Sequence, residues 1–203
     1  MARQKESLPS RERILLAART AFQRRGYFAV GTAEILVMAR APKGSMYHHF
    51  PGGKEEIAIE VVQAICKDVL ALLERLEEKH VCVADMVREI ARRTVHWLKA
   101  SKWLESTMLS STAMGAVPDL TQLHAAIEIA FDQWRKRFTR LLVAEGWSRP
   151  KARRVAETVI AASEGAMILA RIEQNGRVVR SVAEMLAILI ERKSWTGTQL
   201  AIR

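Results

Sequence analysis

The sequence predicts an all-α protein, and three observations carry that prediction. Apolar residues recur with a period near 3.6 in every segment after Ser10. No stretch alternates apolar and polar residues as a half-buried strand would. The breaks are Gly- and Pro-containing runs spaced at helix lengths: Pro51-Gly52-Gly53, Gly115 to Pro118, Gly146 to Pro150 and Asn175-Gly176. An enzyme built on a parallel sheet is thereby excluded.

Residues 1–9 read as a flexible basic arm. Ser10 is a candidate cap for a first helix with Glu12 in its opening turn, and Ile14, Ala18, Ala21 and Phe22 form one stripe. Gly26 suits the left-handed residue that ends it. A second helix is expected from about Thr32 to Ala39, with Ile35 and Leu36 inward. A third spans roughly Pro42 to His49, where Pro42 fits a first helical position because its missing N–H has no partner to lose. A long helix follows from Lys54 to about Lys79. Further helices are predicted near 83–101, 103–113, 119–145, 149–173 and 181–193. The domain reading is residues 10–54 for a helix-turn-helix unit, with the motif at about 33–52, and residues 55–203 for a larger bundle.

The chain has 203 residues, nearly half of them apolar, so it can bury a sizeable core. Its net charge is +10, and the first fifty residues hold nine bases against three acids. Such a bias fits either a polyanion-binding end or a solvated basic face. Cys66 and Cys82 make neither a disulfide framework nor a four-ligand zinc site, and are read as small hydrophobes in helical sequence. No run reaches the ~18 apolar residues of a membrane span, and the N-terminus lacks a signal-peptide core. The expectation is a cytoplasmic protein with no membrane partner and no cofactor.

The strongest chemical signal is residues 26–57. Two short helices joined by a tight turn, the second bearing basic, hydroxyl and aromatic groups, form a helix-turn-helix DNA reader. Lys43 can donate to guanine O6 or N7, and Ser45 can donate or accept. Gly44 lets the backbone approach a duplex, while Tyr47 and His48 offer polar tips to phosphates or bases. Met46 and Phe50 point the other way, into the core. Lys54 stands at a helix N-terminus, where free N–H groups favour a phosphate. Neighbouring His48 and His49 diverge by about 100° on a helix, so no metal site is expected.

Those residues carry a family resemblance. Ile14, Ala18, Phe22, Gly26-Tyr27, Ile35, Ala39, Lys43-Gly44-Ser45-Met46-Tyr47-His48-His49-Phe50 and Lys54-Glu55 resemble the DNA-binding domain of the TetR family of transcriptional regulators. Ala41-Pro42-Lys43-Gly44-Ser45, Pro51-Gly52-Gly53, Phe131-Asp132-Gln133-Trp134 and Ser163-Glu164-Gly165-Ala166 are similar to the branch that includes the lincomycin-resistance repressor. The resemblance implies DNA contacts from the second and third helices, with Tyr47 and Lys54 on phosphates, and a C-terminal half that pairs subunits and holds an inducer. Arg40 departs from it by replacing a turn glycine, and Val30-Gly31-Thr32 replaces a Thr-rich lead-in. Thr32 and Arg40 remain candidate DNA contacts beside Lys43, Gly44, Ser45, Tyr47, His48 and Lys54.

For the C-terminal half, Val155, Val159, Ala162, Ala166 and Leu169 form one stripe and Val182, Met185, Leu186 and Leu189 another. With small residues Ala161, Ser163 and Gly165 they suit a four-helix interface between two copies, or packing inside one subunit. Trp97, Trp103, Met108, Met114, Phe131, Trp134 and Met167 are candidate effector-binding residues, with His96, Glu128 and Glu164 as polar partners. No phosphate loop, nucleophile elbow or metalloprotease pair is present, so no catalytic residue is proposed and no enzyme is expected. The functional expectation is a dimeric repressor of a palindromic operator in double-stranded DNA, released by a small lipophilic or aromatic effector. The alternative is a DNA-bound regulator controlled by a protein partner without an inducer.

Overall fold

A computed structural model describes residues 8–114 and 120–192, apart from the side chain of Met114. Most of the expected N-terminal arm and the break at 115–118 therefore lie outside the described residues. The described residues form helices α1 Ser10–Arg25, α2 Thr32–Ala39, α3 Lys43–His49, α4 Gly53–Glu78, α5 Val83–Ala100, α6 Met108–Met114, α7 Thr121–Ala144, α8 Arg149–Glu173 and α9 Arg177–Glu191. No strand occurs among them.

The chain divides into two compact units. The first comprises residues up to Asp68 with Leu104–Ala130, and the second comprises Val69–Trp103 with residues from Phe131 onward. By packing, then, the first unit takes in the opening part of α4, all of α6 and the start of α7, as well as the three short helices.

In the first unit, Ile14, Ala18 and Phe22 of α1, Ile35 of α2, Met46 of α3, Phe50, and Ile57, Ala58 and Val61 of α4 are buried. Burial of about 1.5–3 kcal/mol per large apolar side chain is what holds such short helices in place. Polar clamps tie their ends. Arg25 donates two 2.9 Å bonds to the Glu34 carboxylate and a 2.8 Å bond to the Ala29 carbonyl. The Glu105–Arg24 ion pair and the bond from Ser106 N–H to the Gln23 carbonyl (2.8 Å) join the segment before α6 to the end of α1.

The second unit has α9 packed along α5 and α8. Its core includes Met86, Val87 and Leu98 of α5, Phe138 and Leu142 of α7, Val155, Ala156 and Val159 of α8, and Val179, Ala183 and Leu186 of α9. Arg88 fastens α5 to α9 by bonds to Glu184 (2.8 and 2.9 Å) and Glu191 (2.5 Å), and also bonds Asp85 on its own helix. These contacts hold the Asp85 and Glu184 carboxyls below their ordinary values. Bonds from Arg92 and Arg93 pull Glu89 down to about 2.

Several expectations are corrected. Ser10 is the first helical residue of α1 and does not cap it; its hydroxyl meets His49 Nε2 at 2.6 Å. Pro42 precedes α3 as its cap residue, with ψ 150°. Gly26 ends α1 at positive φ, 76°, but with ψ 164° it is not in the left-handed helical well. The helix expected from 103 begins at Met108, because Lys102 and Trp103 both have positive φ and Trp103 N–H turns back to the Leu98 carbonyl, closing α5. The last helix starts at Arg177, four residues early, since the Asn175 side chain accepts the Arg177 N–H at 3.0 Å and starts it at the Asn-Gly break. Cys66 is buried, whereas Cys82 is exposed at the start of α5, its Sγ 3.4 Å from an Asp85 oxygen, with burial pushing the thiol up.

Candidate nucleic-acid interface

The reader is built from two helices and the turn between them. α2 closes with Arg40 in the left-handed region, φ 49° and ψ 44°. Ala41 N–H bonds the Leu36 carbonyl at 3.0 Å, and Arg40 N–H bonds that of Val37 at 3.1 Å. A non-glycine residue there costs about 1 kcal/mol. Arg13 of α1 offsets it by donating to the Ala39 carbonyl at 3.0 Å and the Arg40 carbonyl at 3.4 Å. The turn is therefore kept despite the missing glycine.

α3 has two opposed faces. Met46 is 1% exposed and Phe50, just beyond the helix, is fully buried. The Arg11 guanidinium lies 5.1 Å from the Phe50 ring centroid. On the other side Lys43, Gly44, Tyr47 and His48 are exposed, and Ser45 is half-buried. Tyr47 is 65% exposed, an unusual position for a large ring with no ligand to meet. The Ser45 hydroxyl donates to the Pro42 carbonyl at 2.6 Å, which leaves its lone pairs to accept from a base amino group. A Cβ on Gly44 would meet nothing within 4 Å, so the protein's own packing does not require glycine there. Thr32 opens α2 and is half-buried; Arg40 is exposed.

Lys54 stands in the first turn of α4, as expected, with its side chain half-buried. Its ammonium donates to the Tyr27 carbonyl at 3.2 Å and the Val30 carbonyl at 3.1 Å, and lies 4.1 Å from the Tyr27 ring centroid. Burial pulls its pKa below the ordinary lysine value. The basic excess of the N-terminal fifty residues is likewise partly structural. Arg11 pairs with Glu60, Arg19 with Asp68, Arg24 with Glu105 and Arg25 with Glu34. Composition cannot show this, because those acids lie far along the chain or are outnumbered locally.

The imidazoles of His48 and His49 touch edge to face, centroids 5.0 Å apart, but His49 is engaged by Ser10. Among the described residues no group of His, Cys, Asp or Glu is arranged to hold a metal ion. No helix among them is long and apolar enough to cross a membrane.

The candidate effector residues fall in different surroundings. Met108 is fully buried in the first unit. Trp97 and Trp103 pack half-buried against the core of the second unit, where Phe131 and Trp134 stack edge to face with centroids 5.4 Å apart. Met167 is half-buried on α8. The side chain of Met114 lies outside the described residues. Of the polar partners, His96 and Glu128 are exposed and Glu164 is half-buried.

The two stripes read as interface are mostly internal. Val155, Val159, Ala166 and Leu186 are buried in the second unit itself, and Ala162, Val182 and Leu189 pack against its core. Only Leu169, 47% exposed, and Met185, 67% exposed, remain outside. A different stripe is exposed on α8: Gly165, Ile168, Leu169 and Ile172. Sequence reasoning missed Ile168 and Ile172, although their spacing from Gly165 was the available signal.

Comparison with known proteins agrees with this geometry. Residues 14–61 match the family model for bacterial regulatory proteins of the tetR family. Residues 83–185, half of the chain, match that for the C-terminal domain of LmrA/YxaF-like transcriptional regulators. The chain is 28% identical over 188 residues to the HTH-type transcriptional regulator YxaF of Bacillus subtilis, covering 91% of this chain and 96% of the relative. It is 27% identical over 183 residues to the regulator LmrA of the same organism, covering 90% and 97%. The crystal structure of regulatory protein TetR from Rhodobacter sphaeroides shares the fold, with a TM-score of 0.78 at 23% identity over 87% of this chain and 96% of that one. An α3 edge left open above a buried anchor, in a chain matched at both ends, leads to one conclusion: the protein belongs to the TetR family of DNA-binding transcriptional regulators, in its LmrA/YxaF-like branch, and not to an enzyme family.

Proposed function

We propose that the protein is a homodimeric repressor that reads a palindromic operator through α3 and leaves it on binding a small lipophilic or aromatic effector. The observation that carries this reading is the exposure of Lys43, Gly44, Tyr47 and His48 on a helix anchored by Met46 and Phe50. Lys43 reaches a guanine edge or phosphate, Ser45 accepts from a base, and Tyr47 and His48 bond the backbone or bases. Thr32 and Arg40 flank them as phosphate contacts.

One short helix contacts too few base pairs for specificity, so two copies act together on half-sites about 34–36 Å apart. The α8 stripe of Gly165, Ile168, Leu169 and Ile172, with Met185 of α9, is the surface proposed to pair them. Ile172 is 73% exposed, and clustered large apolar groups on a surface mark association sites. The aromatic set Trp97, Trp103, Phe131 and Trp134 with Met167 is the proposed effector-contacting group. A ligand preferring the non-binding spacing by ~100-fold supplies about 2.7 kcal/mol, ordinary allosteric coupling.

The test is operator binding by the purified protein, on duplexes it selects from a random pool, with and without candidate effectors. Lys43→Ala should lower affinity and reduce the salt slope by about 0.9 at unchanged melting temperature. Ile172→Glu should give a monomer in sedimentation that binds a whole operator poorly. An effector that binds without altering operator affinity would refute ligand relief and leave control by a protein partner.

A further inference from the structure

We propose that the first unit holds a neutral, largely apolar small molecule, with the Thr112 hydroxyl hydrogen-bonded to a carbonyl or hydroxyl group of that ligand. The proposal rests on the ligand-relieved reading only where DNA release is measured.

Thr112 lies in α6 and is 1% exposed, and its Oγ1 is buried with no hydrogen-bond partner. A helical threonine can turn its hydroxyl onto the carbonyl four residues back. Thr20, Thr139 and Thr158 do so, at 3.0, 2.7 and 2.9 Å. For Thr112 that acceptor is the Met108 carbonyl, and it is already used. The Ser111 hydroxyl lies 3.0 Å from it and 3.1 Å from the Thr107 carbonyl. The helical pattern assigns the other lone pair of the Met108 carbonyl to the Thr112 N–H. No lone pair there is left for the Thr112 hydroxyl. A hydroxyl taken out of water without a partner destabilises a fold, and an oxygen supplied from outside the chain would recover that loss.

The surroundings select the chemistry of the ligand. In the same unit Val62 and Cys66 of α4, Met108 and Leu109 of α6, and Leu123 and Ile127 of α7 are buried. Among the described residues the buried polar ones are Ser106, Thr107 and Thr112, so no buried charge stands ready to pair an ion. A neutral molecule with a hydrogen-bonding oxygen suits such a setting, and a carboxylate or an ammonium does not. The segment leading into α6 is tied to the end of α1 by the Ser106 N–H on the Gln23 carbonyl and by the Glu105–Arg24 pair. α1 is also the helix on which α2 packs, so occupancy at Thr112 is expected to register at the reader.

The test uses the full-length protein with phenol and toluene, which share a shape and differ by one hydroxyl. In carbon-resolved NMR spectra the Thr112 and Met108 methyl signals should move on titration with phenol. Phenol should bind about ten-fold more tightly than toluene, the worth of one hydrogen bond. Followed at Met108, that preference should fall to within about two-fold in Thr112→Val and remain in Thr112→Ser, which keeps the hydroxyl. With no probe present, Thr112→Val should melt about 2–4 °C above the parent, because it removes a buried group that lacks a partner. An equal or lower melting temperature means that a carbonyl or a trapped water satisfies the hydroxyl in the free protein, and it overturns the proposal. Equal affinity for the two probes, a preference that survives in Thr112→Val, or signals that neither probe moves would overturn it as well. Should Thr112→Val fail to fold, the titrations of the parent and of Thr112→Ser decide. Phenol bound at Thr112 with operator affinity unchanged would uphold the site and count against ligand relief through it. Failure of both probes, alongside operator release by another compound, would strike the site and spare ligand relief.

Discussion

α3 and α9 are held in opposite ways. The seven residues of α3 bury one side chain, Met46, and rely on Phe50 just past the end. The fifteen residues of α9 bury Val179, Ala183, Leu186, Ala187 and Ile190, and Arg88 ties the helix to α5 through Glu184 and Glu191. A helix of seven residues has no stability of its own in water. α3 is therefore placed by its anchors and by the turn that Arg13 braces, which leaves its remaining side chains for DNA. The lesson is that the reading surface and the stabilising seam are kept on different helices, so substitutions should separate one property from the other.

The largest expected effect is loss of an anchor. Phe50→Ala removes a fully buried ring beneath both α3 and the Arg11 guanidinium. Such truncations cost about 3–5 kcal/mol. Urea denaturation should show that loss, and operator binding should vanish with it. If binding survives while stability falls, α3 is held by something other than this ring and the contrast with α9 fails.

A smaller effect, of the opposite kind, is expected at the start of α9. A Cβ on Gly176 would lie 2.6 and 2.7 Å from the two γ-methyls of Val95 and 3.0 Å from an Arg180 guanidinium nitrogen. Its φ of −94° asks for no glycine, so crowding alone is responsible. Overpacking of this order costs about 1–3 kcal/mol. Gly176→Ala should lower the melting temperature while operator affinity, measured well below it, stays unchanged. A parallel loss of DNA binding would show that the seam is not separable from the reader.

The reading helix α3 and helix α8 of the second unit also differ in how far the sequence disclosed them. The edge of α3 was readable because its residues are contiguous and chemically distinct, and because Met46 and Phe50 have the spacing of one buried face. The helical character of α8 was equally plain from its period. Which side of α8 faces inward was not, since Val155, Val159 and Ala166 on one face and Ile168 and Ile172 on the other are equally apolar. Only the partners in space distinguish them, and those partners lie on α5 and α9, many residues away. The internal use of Arg13 and Lys54 was hidden for a similar reason: their acceptors are backbone carbonyls, which every residue possesses and no pattern marks.

The smallest expected change is the most discriminating. Gly44 lies within α3 with open space where a Cβ would stand. In an exposed helix, alanine is favoured over glycine by roughly 0.5–1 kcal/mol, because glycine loses more backbone freedom on folding. Gly44→Ala should therefore leave the free protein equally or slightly more stable in thermal melts. If the α3 backbone comes within contact distance of a duplex, the added methyl must displace it, and operator affinity should fall even as stability rises. Opposite signs from a single methyl group would place the demand for glycine outside the protein's own fold. Unchanged or tighter operator binding would mean that this part of α3 stands clear of the groove and that Lys43 and Tyr47 alone reach it.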